Sequence, residues 1–393
     1  MSERIYLDNA ATTKIEPEVL DAMRPYLEAE YANPSSAYEF AGKTHVKVEE
    51  ARTLIANFLG AKSKEIFFTS GGSESDNWAI KGIADSLSKK GNHIITTKIE
   101  HHAVLHTCEF LEKHGYEVTY LDVDEFGLVD PKKFEEAIKP TTILASIMFA
   151  NNEIGTIEPI AELGRIAHEH GVVFHTDAVQ AFAHVRIDVD EMNIDMLSAS
   201  AHKINGPKGV GLLYIRTGVN PTSLIHGGSQ ERGKRAGTTN AAGIIGFAKA
   251  VELADAHLEE HAAYEAKLRD KLIERVIEEI PHTVLNGHRT NRLTNNTNFC
   301  FRFIEGESLL IMLDRKGICA SSGSACTSGS LDPSHVLLAI GRPHEIAHGS
   351  IRLTLSKDTT EEDIDYTIET LKGIVDRLRS MSPLYEDFIK KNK

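Results

Sequence analysis

The middle of the chain alternates short apolar runs with longer amphipathic segments. Seven short runs are rich in Ile, Val, Phe and Leu, as buried strands are. They cover residues 66–69, 93–97, 117–121, 143–149, 172–176, 196–198 and 211–215. Helical patterns lie between most of them, at 73–89, 103–114, 131–139 and 160–170. The alternation predicts βαβ units and an α/β fold with a mostly parallel sheet.

Beyond residue 239 the pattern changes to longer helices mixed with strands. A charge-laced helical stretch covers 241–279, as one long helix or two in tandem. Strands at 298–303 and 350–355 and helices at 307–315 and 360–379 follow it. Thr359 and Glu362 have the spacing of a capping box for the last helix. This region predicts an α+β domain, with a boundary inside the long helical stretch near residue 255.

The composition of the 393 residues is that of an ordinary globular protein, with 41% hydrophobic and 25% charged residues. A net charge of −14 argues against general binding of nucleic acids and against attachment to an anionic membrane. Residues 1–13 lack the apolar core of a secretory signal, and the longest apolar stretch, near 143–150, is too short to span a bilayer. Four cysteines without a CxxC pair predict reduced thiols and a cytoplasmic protein.

Ligands of open α/β sheets bind beyond the carboxyl ends of the strands, so the residues after each strand are the first candidates for a site. The segment SGGSESDN, residues 70–77, follows the strand 66–69 and opens a helix. Small residues let the backbone approach a phosphate, and a helix N-terminus supplies unpaired N–H groups. The GK[ST] of a nucleotide P-loop is absent, and an ordinary Gly-Ser turn with an N-cap is the alternative interpretation.

Two further strand ends carry ionisable side chains. Asp177 follows the strand 172–176, with Gln180 one turn later. A buried carboxylate must be paired, so Asp177 could ligate a metal, hold a proton on a ring nitrogen or cap the next helix. Lys203 follows the strand 196–198, within SAHKINGPKG. A lysine in apolar surroundings can act as an amine nucleophile, whereas a surface lysine before a Gly-Pro turn needs no such function.

Three more segments carry candidate chemistry. His101, His102 and His106 could bind a metal, cap a helix or, as a flat ring, stack on an aromatic ligand. Cys326 lies in SSGSACTSGS, whose small polar residues predict a mobile loop able to carry a thiol to a substrate. Arg352, in an alternating strand pattern, either faces solvent or clamps a carboxylate with two hydrogen bonds.

Together these features match the requirements of pyridoxal 5'-phosphate (PLP). The cofactor needs a lysine for a Schiff base, an acid at its pyridinium nitrogen, a phosphate cup and a clamp for the carboxylate of an amino acid. Lys203, Asp177, the Gly-Ser turn and Arg352 could supply these in that order. Cys326 would be an additional thiol, so the combination is more specific than any of its parts.

Ten segments carry a resemblance to a known family. In this sequence they read YLDNAATT, NPSS, FTSGGSESDN, EHHAVL, NNEIGT, HTDAVQ, SAHKINGPKG, HGGSQERGKRAGTTN, SSGSACTSGSLDPSHVL and SIRLTLS. Their order and spacing resemble the class V aminotransferases, and within them the cysteine desulfurases of the NifS/IscS type. The SSGSACTS segment is similar to the long-loop group of these desulfurases. Ser73 stands where many relatives have Thr.

The resemblance implies catalytic roles for matching residues. Lys203 would hold the cofactor covalently and later move the Cα proton of the substrate. Asp177 would pair with the pyridinium nitrogen, and Gln180 with the ring hydroxyl oxygen. His101 would stack on the ring and shuttle protons near the substrate sulfur. Cys326 would attack that sulfur, leaving alanine and a Cys326 persulfide.

Binding roles follow from the resemblance in the same way. The cofactor phosphate would be held by Gly72, Ser73, Ser200 and His202. Thr238 would reach the phosphate in the partner subunit, so the active unit would be a homodimer. Asn152, beside the cofactor, and Arg352 would bind the carboxylate region of the substrate, with help from Asn33.

The implied enzyme is a fold-type-I PLP-dependent transferase. A large PLP-binding domain, 16–255, would contain a mostly parallel seven-stranded sheet flanked by helices. A smaller α+β domain, 1–15 and 256–393, would carry the catalytic-cysteine loop. The predicted function is a PLP-dependent cysteine desulfurase that converts L-cysteine to L-alanine and supplies sulfur for iron–sulfur cluster assembly and other thiolation pathways. The expected partners are a second subunit and an iron–sulfur scaffold or other sulfur-acceptor proteins, with no nucleic acid, membrane or metal ion.

Two other interpretations remain at this level. The first is another enzyme with the same cofactor, an aminotransferase or a selenocysteine lyase. Cys326 argues against an aminotransferase, which needs no mobile thiol, whereas selenocysteine stays possible as a substrate. The second is a metal-binding or scaffold protein that uses His101, His102 and His106 and leaves Lys203 without a role.

Overall fold

The computed structural model describes residues 4–322 and 333–392. Twelve strands and twelve α-helices occur in this part of the chain. The strands are β1 (Ile5–Tyr6), β2 (Ile66–Thr69), β3 (His93–Thr97), β4 (Glu117–Leu121), β5 (Thr142–Ser146), β6 (Val173–Asp177), β7 (Met196–Ser200), β8 (Gly211–Ile215), β9 (Thr283–Leu285), β10 (Asn296–Phe301), β11 (Ile318–Cys319) and β12 (Ser350–Thr354). The helices are α1 (Pro17–Glu28), α2 (Glu39–Phe58), α3 (Gly72–Ser86), α4 (His102–Glu112), α5 (Pro131–Ala137), α6 (Ile160–Glu169), α7 (Ala241–Glu279), α8 (Gly306–Asp314), α9 (His335–Ala339), α10 (His344–Ala347), α11 (Glu361–Ser380) and α12 (Pro383–Lys391).

Seven strands form one sheet in the order β2-β8-β7-β6-β5-β3-β4. The neighbouring pairs from β7 to β4 are parallel, whereas β8 runs antiparallel to both β2 and β7. The prediction of an α/β fold with a mostly parallel seven-stranded sheet is therefore confirmed. Most of these strands are buried along their whole length, because helices cover both faces of the sheet.

The apolar runs locate these strands to within a few residues. Strand β5 ends at Ser146, earlier than predicted, although the Ile147 and Phe149 N–H groups still donate hydrogen bonds to carbonyl groups of β6. Strand β7 continues through Ser200, beyond its predicted end, since its small polar residues pair with β8 as well as its apolar ones do. A search for apolar residues does not detect strand positions at which small polar residues are buried.

The N-terminus of α11 corrects the predicted capping box. Thr360 and Asp363 form it, one residue beyond the predicted pair of Thr359 and Glu362. The Thr359 hydroxyl instead accepts a hydrogen bond from the Ser356 N–H, in the turn before the helix. Two adjacent threonines followed by a run of acids satisfy the capping pattern in two registers, and the preceding turn selects one of them.

Helices α1 and α2 were not predicted, although both carry recognisable signals. Pro17 occupies the first helical position of α1, where a missing N–H costs nothing. Val48, Ala51 and Ile55 form a buried stripe at helical spacing along α2. Both helices pack against α7. Among the described helices, none has the length and apolar character needed to cross a lipid bilayer.

Two hydrophobic cores are joined by one helix. The larger core lies on the seven-stranded sheet, and the smaller one lies among β10, β12, α8 and α11. Helix α7 has 39 residues and a length of roughly 58 Å, at 1.5 Å per residue. Its first half packs into the larger core and its second half into the smaller one. The division into domains 16–255 and 1–15 with 256–393 falls inside this helix and stays a prediction.

The N-terminal arm runs from the smaller core to the edge of the large sheet. Strand β1 pairs with β11, and the Asn9 and Ala10 N–H groups donate hydrogen bonds to the backbone oxygen and the hydroxyl of Thr354. Further along, Thr13 Oγ1 donates to the carbonyl oxygen of His202 over 3.0 Å. The arm thus passes directly beside the residues that follow β7.

Candidate active site

The carboxyl ends of three strands meet at one edge of the sheet. Strand β2 runs in the same direction as β7, because two antiparallel pairings through β8 separate them. Strand β6 is parallel to β7. The turn after β2, Asp177 at the end of β6 and Lys203 after β7 are therefore neighbours, as parallel-sheet sites require.

The turn after β2 forms one wall of a pocket of about 390 Å³, which we call the phosphate cup. The cup is lined by Thr12, Ser70, Gly71, Gly72, Ser73, Glu74, Ser200, His202, Lys208 and Gly209. Helix α3 begins at Gly72, so the unpaired N–H groups of its first turn belong to this wall. Small residues, a helix N-terminus and the Lys208 cation together suit a phosphate group.

Glycines allow the close approach of the turn to its neighbours. Gly71 has a φ of 154°, which side chains disfavour. A Cβ atom at Gly72 would lie 2.6 Å from Val179 Cγ2, and one at Gly211 would lie 2.7 Å from the Gly71 Cα. The cup therefore depends on the absence of side chains at these positions.

Glu74 is the one carboxylate among the described residues of the cup. Its Oε2 accepts a hydrogen bond from the Ser70 N–H over 2.9 Å. Arg235 donates to it twice, from Nε to Oε1 over 2.8 Å and from Nη2 to Oε2 over 2.9 Å. Burial alone would raise the pKa of Glu74, but the hydrogen bonds from Arg235 and Ser70 bring the pKa below its usual value. A charge that would repel a phosphate is thus neutralised.

Lys203 ends the short 3₁₀ turn Ala201–Lys203 that follows β7. Its Nζ donates hydrogen bonds to the carbonyl oxygens of Ala10 over 2.6 Å and of Ala11 over 2.9 Å. The Gln180 side chain donates to the same Ala10 carbonyl over 2.9 Å. The N-terminal arm therefore contacts two of the predicted site residues, Lys203 and Gln180, through the same carbonyl group.

Three buried carboxyl groups, from Asp76, Glu100 and Asp177, form what we call the acidic floor. Side-chain atoms of Asp76, His101 and Asp177 lie within 4.8 Å of one another. Burial is the largest cause that raises the pKa of each carboxyl, and the charge of Asp177 raises those of Asp76 and Glu100 further. Asp76 Oδ1 and Glu100 Oε2 have no hydrogen-bond partner among the described residues. Burial and mutual repulsion therefore disfavour the ionised forms of these carboxyl groups.

His175 adds no positive charge to this floor. Its Nδ1 contacts Ser146 Oγ at 2.8 Å and its Nε2 contacts Ser198 Oγ at 3.0 Å, so serines serve both ring nitrogens. Burial lowers the pKa of His175 to about 3. Its Nε2 lies 3.8 Å from Asp76 Oδ1. A neutral imidazole beside Asp76 leaves protonation as the way to avoid a second buried negative charge.

His101 lies beside the acidic floor, with a ring nitrogen within 4.8 Å of carboxylate oxygens of Asp76 and Asp177. It is the N-cap residue of α4, and its Nδ1 accepts a hydrogen bond from the Ala103 N–H over 3.1 Å. The proton of the neutral ring is therefore on Nε2. Burial lowers the pKa of His101, against the opposite effect of Asp177, so the ring is neutral at neutral pH.

Arg352 lies on β12, outside the seven-stranded sheet, and is almost fully buried. Its Nη1 donates to the Asn152 carbonyl over 3.0 Å and its Nη2 to Asp8 Oδ1 over 2.9 Å. Its Nε has no hydrogen-bond partner among the described residues. Arg352 and Asn152 are thus brought together, and the Arg352 guanidinium retains one donor group for a further ligand.

Both ends of the segment that carries Cys326 are fixed beside these residues. Before it, the Ser321 N–H and carbonyl exchange hydrogen bonds with the Arg352 backbone. After it, the Ser334 hydroxyl donates to the buried Glu153, next to Asn152. Cys326 itself lies in 323–332, outside the described residues.

Two predicted residues are not brought into this arrangement. The Asn33 side chain is exposed and accepts a hydrogen bond from the Ser35 N–H within its own turn. Thr238 is exposed and is not among the residues that line the cup of its own chain. A role for Thr238 therefore requires a second chain.

The histidines considered as metal ligands have other arrangements. The His102 ring stacks on His106 with centroids 4.8 Å apart, and His335 approaches His102 at 4.8 Å. Within residues 4–322 and 333–392, the group of three with convergent ligand atoms is instead Asp76, His101 and Asp177.

The order of site residues along the chain, on this sheet, is that of a known family. The family model of the class V aminotransferases (Aminotransferase class-V) matches residues 5–367. The chain belongs to the class V aminotransferases. Its relatives in this family include the cysteine desulfurase IscS of Clostridium botulinum (strain Hall), which is 58% identical over 392 residues and 99% of both chains. The cysteine desulfurase IscS of Methanosarcina thermophila is 57% identical, over 98% of this chain and 95% of that protein.

Solved structures of the family lead to the same assignment. A structure described as a NifS-like protein has a TM-score of 0.90 and 39% identity, over 95% of this chain and 100% of the other. A structure of SspA in complex with cysteine has a TM-score of 0.81 and 41% identity, over 91% of this chain and 100% of the other. The predicted NifS/IscS type and cysteine desulfurase activity are confirmed.

Class V aminotransferases in general depend on PLP. The donors of this site fit that group. The cup offers N–H groups and Lys208 to a phosphate, Lys203 offers an amine, and Asp177 offers a buried carboxyl. The buried Asp76 Oδ1, which has no hydrogen-bond partner in the part of the chain that the structure describes, lies next to Asp177, as expected of a floor that faces a polar ring atom.

Proposed function

We propose that this chain binds PLP and converts L-cysteine to L-alanine, with the sulfur retained as a persulfide on Cys326. One observation carries the proposal. The cup, Asp177 and Lys203 share one sheet edge, and the segment with Cys326 is held at both ends beside Arg352 and Glu153. The described residues on both sides of the segment with Cys326 therefore lie near the place where the substrate would bind.

Residues at and just beyond the carboxyl ends of β2, β6 and β7 would hold the cofactor. Its phosphate would lie in the cup, on the N-terminus of α3 and beside Ser200 and His202. Asp177 would keep a proton on the ring nitrogen, and Gln180 would contact the ring hydroxyl. When bound, PLP withdraws electrons from the substrate and so weakens its Cα–H and Cβ–S bonds.

Lys203 would bind the cofactor and then move the Cα proton. Its hydrogen bonds to the Ala10 and Ala11 carbonyls give the amine a defined position when it leaves the cofactor. Neutral His101, with its proton on Nε2, would stack on the ring and deliver a proton near the substrate sulfur. The two residues thus divide the proton transfers between Cα and sulfur.

The substrate carboxylate would bind at Arg352 and Asn152. The Arg352 Nε is buried and lacks a hydrogen-bond partner among the described residues, which supports this role. Asp8, already bound to Nη2, fixes the guanidinium in place. The contribution of Asn33 remains a proposal without a contact to support it.

The sulfur step follows from the chemistry of thiolates. The Cys326 thiolate attacks the sulfur of bound cysteine, and an S–S bond forms as the Cβ–S bond breaks. The electron pair of the broken bond stays with the substrate carbons, which take up protons and leave as alanine. Cys326 then carries the persulfide, which an acceptor protein with its own thiolate can collect.

The active form would be a homodimer in the cytoplasm that delivers sulfur to an iron–sulfur scaffold or another acceptor protein. Large apolar side chains on and between α1 and α2 are exposed, which supports association with a second copy. They are Leu27, Tyr31, Tyr38, Phe40 and Val46, with exposed fractions of 61%, 72%, 56%, 40% and 53%. The exposed position of Thr238 is consistent with a contact to the site of the partner.

Release of alanine and sulfide from L-cysteine with a thiol reductant tests the proposal. We expect equal amounts of both from the wild type and neither from Cys326→Ala. Cys319→Ala is the matched control, because Cys319 is the partly exposed cysteine among the three described. Alanine production that survives in Cys326→Ala would contradict the persulfide step and leave a lyase without a protein-bound sulfur.

A further inference from the structure

The segment 225–240 is folded back on itself and carries Thr238 near its end. The Ala236 N–H donates to the Ile225 carbonyl over 3.3 Å, and the Gly237 N–H donates to Gln230 Oε1 over 3.1 Å. Two residues after Thr238, Asn240 caps α7 through the Gly243 N–H. Thr238 is thus fixed on both sides while its side chain stays exposed.

A buried ion pair attaches this segment to the edge of the large sheet. Arg52 of α2 and Glu231 are 4% and 7% exposed, and two hydrogen bonds of 2.6 and 2.9 Å join them. Glu231 Oε2 also accepts from the Phe68 N–H, and Arg52 Nη1 donates to the Ile66 carbonyl. The pair therefore serves both kinds of backbone group on edge strand β2, as a neighbouring strand would.

The backbone of the segment is strained at the same point. Glu231 and Arg232 have φ values of 45° and 56°, a region that residues other than glycine seldom adopt. Arg232 donates from Nη2 to the Ser63 carbonyl over 2.9 Å. A left-handed pair of residues persists only when its surroundings hold it there. The ion pair with Arg52 supplies that restraint.

A second ion pair attaches the segment to the phosphate cup. Arg235 and Glu74 are 20% and 11% exposed and share two parallel hydrogen bonds. Glu74 belongs to the first turn of α3, so Arg235 is held at the cup of its own chain. The segment is thereby bound at two points, Glu231 and Arg235, which lie seven and three residues before Thr238.

We propose that the Arg52–Glu231 ion pair is a positioning device that sets Thr238 in place for the phosphate cup of a second copy of this chain. The inference rests on the proposed function, in which Thr238 acts in the partner subunit. Glu231 contacts the edge strand β2 and does not line the cup of its own chain. Its loss should therefore harm the partner's site and not its own.

Heterodimers with two different affinity tags separate these possibilities. Glu231→Gln homodimers should bind PLP more weakly by roughly 10- to 100-fold, because displaced contacts cost that much. A heterodimer joins one chain that carries Glu231→Gln to one chain that carries Lys203→Ala. The site on the Glu231→Gln chain has an intact Lys203 and receives the intact segment 225–240 of the other chain. The second site lacks Lys203 and is inactive. We expect the first site to bind PLP with wild-type affinity and to give about half of the wild-type turnover per dimer.

Two controls keep the outcomes distinguishable. Glu49→Gln removes the other carboxylate that contacts Arg52, through bonds of 3.1 and 3.2 Å, and leaves the segment attached. It should bind PLP as the wild type does. A heterodimer of Thr238→Ala with Lys203→Ala tests the proposed function itself. If that control recovers a site and the Glu231→Gln heterodimer does not, Glu231 acts within its own chain and the inference is wrong.

Stability is measured on the same preparations. Sedimentation and thermal unfolding establish whether Glu231→Gln remains a folded dimer. Should it unfold, Arg52→Lys replaces it, because that variant keeps the charge and loses the two-pronged bond to Glu231. Recovery in the heterodimer with Lys203→Ala is again expected, and equal PLP binding by Arg52→Lys and wild-type homodimers would overturn the proposal.

Discussion

The phosphate cup and the acidic floor lie side by side and handle charge in opposite ways. In the cup, the charged groups are paired or cationic, since Glu74 is neutralised by Arg235 and Lys208 faces a pocket of backbone donors. In the floor, Asp76 and Glu100 keep carboxyl oxygens without hydrogen-bond partners among the described residues, and burial raises their pKa values. The cup relies on backbone geometry, whereas burial in the floor disfavours the ionised carboxyl groups.

The two regions should therefore tolerate different substitutions. A cup of backbone N–H groups is insensitive to the loss of one hydroxyl but sensitive to any added volume. A floor of buried carboxyls should be insensitive to the loss of an acid that stays neutral but sensitive to the loss of one that carries a charge.

The largest effect is expected from Asp177→Asn, which removes the carboxyl group proposed to pair with the ring nitrogen of PLP. Affinity for PLP should fall roughly 100-fold, because truncating one member of a buried charge pair costs several kcal/mol. Titration of the apoprotein with PLP measures this. Asp76→Asn is the matched control and should stay within about threefold of the wild type, because a neutral amide replaces a neutral acid. Similar losses in both variants would show that Asp76 is ionised.

Gly72→Ala should lower PLP affinity by about tenfold, as overpacking typically costs 1–3 kcal/mol. The new Cβ would meet Val179 Cγ2 at 2.6 Å and push the turn of the cup away from the end of β6. The same titration measures it. Gly42→Ala is the control, since a Cβ there meets no atom within 4 Å. Unchanged affinity in Gly72→Ala would mean that Val179 moves instead of the turn.

The last expected effect concerns stability near the floor and not affinity for PLP. Glu158, almost fully buried beside Val129, has a pKa raised to about 8 by burial and one oxygen without a partner among the described residues. A folded-state pKa above the unfolded value of 4.5 gives a contribution to stability that is complete below pH 4.5 and lost as the pH rises toward 8. Each pKa unit is worth about 1.4 kcal/mol.

Denaturant unfolding of the wild type and Glu158→Gln at pH 4.5 and pH 8 measures this contribution. The variant should gain stability relative to the wild type at the higher pH, by up to a few kcal/mol. Glu162→Gln, at an exposed position of α6, should follow the wild type at both pH values. Parallel curves for all three proteins would mean that Glu158 ionises in the folded state as easily as in the unfolded one.

Much of the site could be predicted from sequence because it lies at strand ends. Asp177, Lys203 and the turn 70–73 each follow an apolar run, and parallel strands bring such ends together. Asp76 was missed, although it stands one turn into α3 in the SESDN segment, where a polar residue on the buried face is itself a signal. The sequence pattern marks Asp76 as unusual but does not reveal that Asp177 lies beside it.

The other half of the site depends on contacts between distant parts of the chain. Arg352 meets Asp8 across 344 positions of sequence, and Asn152 joins them through its backbone carbonyl. Periodicity within β12 left Arg352 either exposed or buried, and only the pairing with β10 and the arm decides this. Arg235 and Glu74 were missed for the same reason, since no local pattern relates them.

The N-terminal arm is held by segments that lie far from it in the sequence. Its early part is held by β11 and by Thr354, whereas its Ala10 and Ala11 carbonyls receive the Lys203 amine. A chain still emerging from the ribosome therefore contains the lysine and the cup well before the arm that orients the amine is anchored. The contacts that hold the early part of the arm beside the Lys203 amine are thus available only after the region around residue 354 has been translated.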